Sequence, residues 1–167
     1  MSTTEPPAGA GFTHLDTAGH ARMVEVGAKA VTRREAVAVG RVLVAPHVVA
    51  ALLDGALPKG DALAVARIAG IMGAKRTPDL VPLCHPVALT GVDVEVSVVE
   101  AGVHIRASAR TADRTGVEME ALTAVSVAAL TVVDMVKGLD PAAVITGVGV
   151  VRKTGGRSGT FQRDGQP

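Results

Sequence analysis

Thr115–Lys137, TGVEMEALTAVSVAALTVVDMVK, is the stretch on which the reading of this chain turns. Thr115 followed three residues later by Glu118 matches a capping box, so a long helix is expected to start there. From Ala121 to Val133 the stretch carries no charge, and Gly138 followed by Pro141 marks its end. A helix apolar on nearly every side is normally buried on nearly every side. One small domain rarely covers a whole helix, so the stretch predicts a subunit interface. Glu120 and Asp134 fall on nearly the same stripe, about 21 Å apart at 1.5 Å rise per residue. One small substrate cannot touch both on a single copy of the helix. If both are functional, they serve separate sites, or one site built from two subunits.

Around this helix, 167 residues suffice for one domain with an adequate core. Hydrophobic residues make up 48% and charged residues 20%, a globular composition. Two Phe and no Trp or Tyr leave almost no surface for base stacking, which argues against a nucleic-acid partner. A net charge of +1 provides no general polyanion-attracting surface. The single cysteine, Cys84, excludes an intrachain disulfide and argues against a structural zinc site. No signal-peptide pattern is present, and the uncharged run of the helix is short for a bilayer span. The expectation is a soluble, cytoplasmic protein without a membrane partner.

Residues 1–12 read as a disordered segment, 13–153 as a single catalytic domain, and 154–167 as a glycine-rich flexible tail. His14, Asp16 and His20 are spaced like no recognised metal site. Thr32–Val44 mixes helix and strand preferences, and its alternating β-branched second half favours a strand. Pro46–Leu53 reads as a short helix and GALPKG, 55–60, as a turn presenting Lys59. Asp61 is the expected N-cap of a helix over Ala62–Ala74. TPDLVPLCHP, 77–86, reads as a stiff extended loop because of its three prolines. Val92–Val98 and Val103–Arg110 alternate strictly and form a hairpin. Val144–Val151 is a last strand. This order of elements predicts an α+β, ferredoxin-like fold: a four-stranded antiparallel sheet with helices packed on one face.

The residues that could carry chemistry, Glu120 excepted, each have a plainer explanation. Asp134 and Lys137, at i and i+3, are a helix-end ion pair or a coupled acid and base. Glu118 is either the capping-box residue or a site residue; Glu120, beside an apolar stripe, has no capping role to explain it. His85 is a packed loop histidine, a general acid or a phosphate ligand. Lys59, restrained by Pro58 and Gly60, is a solvated loop lysine or a presented amine. Lys153–Gly159, KTGGRSG, is a mobile basic tail or a backbone cradle for phosphate; it is no Walker A loop, since Arg152 stands where that motif needs glycine.

HLDTAGHARMVEVGAKAVTRREA, PKGDALAVARIAGIMGAKRTPDLVPLCHP, TGVEMEALTAVSVAALTVVDMVK and KTGGRSG together resemble the cyclic pyranopterin monophosphate synthases, the molybdenum cofactor biosynthesis protein C family. The resemblance spans about Thr13 to Gly159. It implies a lyase that converts 3′,8-cyclo-7,8-dihydroguanosine 5′-triphosphate to cyclic pyranopterin monophosphate and releases pyrophosphate. It also implies a ferredoxin-like homohexamer, a trimer of dimers with sites at the dimer interface. Matched by motif, the catalytic set is Asp134, Lys59, Lys137, His85, Glu118 and Glu120. Substrate contacts fall on Leu83, Cys84, His85, Met119, Glu120 and Lys153. No cofactor or protein-held metal is required, with magnesium admitted alongside the triphosphate. Two positions depart from the expected pattern: Val133, where an aromatic residue is expected, and Arg114, where a lysine is common. The alternative is a non-catalytic oligomeric guanine-nucleotide-binding protein of the same fold.

Overall fold

The uncharged helix and the alternating strands account for most of the architecture. The computed structural model describes Ala18, residues 20–157 and residues 159–164. The expected disordered segment at 1–12, and His14 and Asp16, lie outside the described residues.

The stretch of mixed preference becomes a strand, β1 (Thr32–Leu43), whose Ala36, Ala38 and Val42 are buried along one side. α1 (Pro46–Leu53) opens on a proline, whose fixed φ suits the first turn of a helix. α2 (Ala62–Lys75) is capped by Asp61, which accepts the Ala64 N–H at 3.0 Å. The three-proline stretch is not extended throughout. Its first four residues form a helical turn, α3 (Thr77–Leu80), with Pro78 in the first turn, where it has no hydrogen bond to lose. β2 (Leu89–Val99) and β3 (Gly102–Asp113) form the hairpin. α4 (Glu118–Val136) is followed by β4 (Val144–Thr154) and a two-residue β5 (Phe161–Gln162).

The chain is thus α+β, with one sheet of order β2-β3-β1-β4-β5 and every pair antiparallel. The sheet has five strands where four were expected. β5 arises within the glycine-rich stretch expected to be a flexible tail, pairing Arg152 with Gln162 and Lys153 with Phe161. Two residues carry no readable period; the strand exists because the edge of β4 offers unpaired backbone groups.

α4 also starts later than expected. Val117 stands at its N-cap with no side-chain hydrogen bond, so the TGVE capping box does not form. By length and composition alone α4 could cross a membrane, a property its uncharged run had not suggested. Its packing is that of a core helix. It lies against β1, β3 and β4 on one side and α2 on another, with Ala121, Ala124, Val125, Ala128, Ala129, Val132 and Val136 buried. The chain itself buries nine of the 19 residues of the helix, and Leu130 is its most open apolar residue, at 60% exposure.

Close approach makes this packing work. A Cβ at Gly40 of β1 would lie 2.6 Å from Val125 Cγ1 and 3.2 Å from Val148 Cγ2. Gly40→Ala should therefore cost about 1–3 kcal/mol by overpacking, read as a lower midpoint in urea unfolding with the secondary-structure spectrum retained.

Candidate functional site

The two ends of α4 carry different sites. At its N-terminal end a cavity of about 380 Å³ is walled by three segments. Leu83, Cys84, His85 and Val87 come from the proline-rich loop, which two prolines hold stiff. Glu118, Met119 and Glu120 come from the first turn of α4, with Thr115 and Gly116 before it. Val24, Val26 and Lys29 come from the segment preceding β1. The sequence pattern had given that last wall no role; its brief apolar-polar alternation, MVEV at 23–26, was the one local hint.

Hydrogen bonds tie the walls together. His85 Nε2 lies 2.7 Å from the Val24 carbonyl oxygen. A carbonyl only accepts, so Nε2 carries the hydrogen. Arg114 Nε donates to the Lys29 carbonyl at 3.1 Å. Lys153 Nζ, from β4, donates to Glu118 Oε1 at 2.9 Å. This pair is where the carboxylate assigned to a capping box goes. Gly116 leaves room for it, because a Cβ there would collide with the Glu118 carboxylate.

Glu120 is 3% exposed. Burial pushes its carboxyl above the ordinary range, and the neighbouring Glu118 pushes the same way, against a lowering backbone hydrogen bond. Burial also raises the Cys84 thiol, with the Glu120 charge adding to it. A carboxyl raised in this way takes up a proton more readily than an ordinary one, and once protonated it can donate a hydrogen bond or a proton. A second cavity, about 540 Å³, adjoins the first through Lys29, Thr115 and Gly116 and is basic, with Arg34, Arg114 and Arg157 among its walls.

At the C-terminal end Asp134 gathers two lysines. Lys59 Nζ donates to Asp134 Oδ2 at 2.9 Å and to its carbonyl at 2.7 Å; Lys137 Nζ lies 2.7 Å from Oδ1. The Pro-Lys-Gly turn before α2 thus delivers its amine to the end of α4. Hydrogen bonds from Lys137 and Lys59, then their charges, hold the Asp134 carboxyl down to about 2. All three side chains are open to solvent, Asp134 at 56%. Val133 is half-buried and packs against the core.

The structure therefore groups Leu83, Cys84, His85, Glu118, Met119, Glu120 and Lys153 at one end and Lys59, Asp134 and Lys137 at the other. Within one chain α4 holds the groups apart by about 21 Å, fourteen residues at 1.5 Å each. Among the described residues no group of three or more His, Cys, Asp or Glu could hold a metal ion.

Two pH effects follow. Asp134 has a depressed pKa, so its contribution to stability is present above the ordinary 3.8 and lost as pH falls through about 2. Lys59→Gln or Lys137→Gln should raise that midpoint toward 3.8, as followed by carboxyl carbon NMR. Glu120→Gln should let Cys84 ionise at lower pH, seen as a shift of its alkylation-rate profile.

Comparisons with known proteins show what the whole chain is similar to. The model of the MoaC family matches residues 23–156. The chain is 63% identical to cyclic pyranopterin monophosphate synthase of Streptomyces coelicolor, over 98% of this chain and 99% of that protein. It is 58% identical to cyclic pyranopterin monophosphate synthase 2 of Mycobacterium tuberculosis, over 91% of each chain. The synthase of Pelotomaculum thermopropionicum is 55% identical over 93% of each. Each identity is high over nearly the full length of both proteins, and the family match includes both ends of α4: the chain belongs to the MoaC family.

Proposed function

We propose that this chain is a cyclic pyranopterin monophosphate synthase of molybdenum cofactor biosynthesis, a lyase acting on 3′,8-cyclo-7,8-dihydroguanosine 5′-triphosphate with loss of pyrophosphate. The observation that carries the reading is the N-terminal cavity of α4. Leu83, Cys84, His85, Glu118, Met119 and Glu120, matched by motif alone, line one space. The adjoining basic cavity suits the triphosphate, whose charge must be met as pyrophosphate leaves. Magnesium enters this reading only as a companion of the triphosphate.

The residue chemistry divides between the two ends of α4. Remodelling the purine-derived ring and closing the cyclic phosphate require several proton transfers. Glu120, whose carboxyl burial pushes above the ordinary range, is the carboxyl this reading assigns to proton transfer. Lys59 and Lys137 serve as acid and base groups, held in place by the ionised Asp134. This reading also assigns His85 and Lys153 to neutralising the phosphate charge.

A complete site needs both ends of α4, and the separation along one helix supports a site shared between subunits. In this reading the assembly is a trimer of dimers with the site at the dimer interface. Leu130, Ile68, Met72 and Leu80, each more than half exposed, are apolar surface that an assembly would cover. The fold is read as ferredoxin-like: the order β2-β3-β1-β4, with helices linking β1 to β2 and β3 to β4, supports it.

Asp134→Asn should lose most turnover of the cyclic triphosphate while keeping substrate affinity; near-normal pyrophosphate release would overturn its role. Mixing inactive Glu120→Ala and Asp134→Ala subunits should restore part of the activity, because some mixed interfaces carry one intact site. No recovery in verified mixed oligomers would count against the shared site.

A further inference from the structure

Arg34 stands on β1 opposite Thr111 of β3 and lines the basic cavity assigned above to the triphosphate, but no part of the proton-transfer chemistry has been assigned to it. Its Nε donates to the Asp113 carbonyl and its Nη2 to the Arg114 carbonyl, both at 3.0 Å. These two carbonyls end β3 and begin the short connection to α4. Because α4 has no side-chain cap at Val117, the direction of its first turn depends on what holds this connection. Arg34 also meets the segment after Lys153. Gly155 and Gly156 turn there with φ of 90° and 73°, and a Cβ on Gly156 would collide with Arg34 Nη1. One guanidinium therefore touches both segments that bring Glu118 and Lys153 together.

The contact requires arginine. Two N–H groups on one edge of a rigid plane reach two successive carbonyls; a lysine ammonium is a single point on a flexible stem. We propose that Arg34 is a positioning residue for the synthase reaction. By clamping the carbonyls of Asp113 and Arg114 it aims Glu118 and Glu120 into the cavity they share with Cys84 and His85. The proposal rests on the functional reading above for the reaction it names, but not for the placement of Glu120 near Cys84.

The test compares the full chain with Arg34→Lys, and with Arg34→Gln should the lysine variant fail to fold. One readout is turnover of the cyclic triphosphate; the other is iodoacetamide alkylation of Cys84 across pH. A displacement of about 1 Å at the reacting groups lowers rate on the order of 100-fold, so kcat should fall by that order with KM little changed. The Cys84 profile should move to lower pH as the Glu120 charge withdraws. A raised KM with kcat retained would make Arg34 a phosphate ligand and overturn the proposal. A lower Tm with kcat, KM and the Cys84 profile unchanged would make it merely structural and overturn it equally. If the parent chain releases no pyrophosphate, the functional reading fails, while the Cys84 profile still decides whether Arg34 positions Glu120.

Discussion

The contact of α4 with α2 and the sheet is made through side chains so small that backbone nearly meets backbone. A Cβ at Gly70 of α2 would come within 2.9 Å of the Ala124 carbonyl oxygen, and one at Gly73 within 2.8 Å of Val127 Cγ2. The largest fully buried side chains are an isoleucine, several valines and a threonine. A core with no aromatic side chain among the described residues is thin, so its layers must sit close, and close-packed interiors deform little. α4 is thereby a fixed rod, about 28 Å long at 1.5 Å per residue. The candidate site residues are arranged around its two ends.

Those ends treat carboxylates in opposite ways. Acidic residues in the first turn of a helix are ordinarily favoured in their charged form by the helix dipole. Burial outweighs this at Glu120 and moves it toward the neutral form. At the other end Asp134 is open to water, where the dipole disfavours it, yet two ammonium groups in direct contact keep it ionised. One helix thus carries a carboxyl pushed up by burial at its start and one held down by two amines at its finish. The loop carrying Cys84 and His85 completes the first; the turn carrying Lys59 completes the second.

Much of this was legible because the signals were local. The strict alternation in Val92–Val98 and Val103–Arg110 marks strands with one buried face, and Asp61 caps α2 through its own side chain. Local signals also misled where a distant partner competed. TGVE looks like a capping box, but Lys153 on β4 offers the Glu118 carboxylate a charged partner, which an uncharged backbone N–H does not match. Pro78 reads as a loop former, but the first turn of a helix tolerates proline. β5 is too short for any period to show. Arg34 and the wall from Val24 to Lys29 drew no functional reading, because their work is done on carbonyls of other segments.

By itself the sequence determined the type of every element except α3 and β5, the presence of the long apolar helix and the titratable residues at its two ends with the length of helix between them. These are matters of period, composition and fixed rise per residue, which neighbouring residues set. The tertiary structure alone decided which partners the ends of α4 receive: Lys153 for Glu118, burial beside Cys84 for Glu120, and Lys59 for Asp134. Burial and charge act through space across tens of residues of chain, and only folding brings those residues within the few ångströms at which they act.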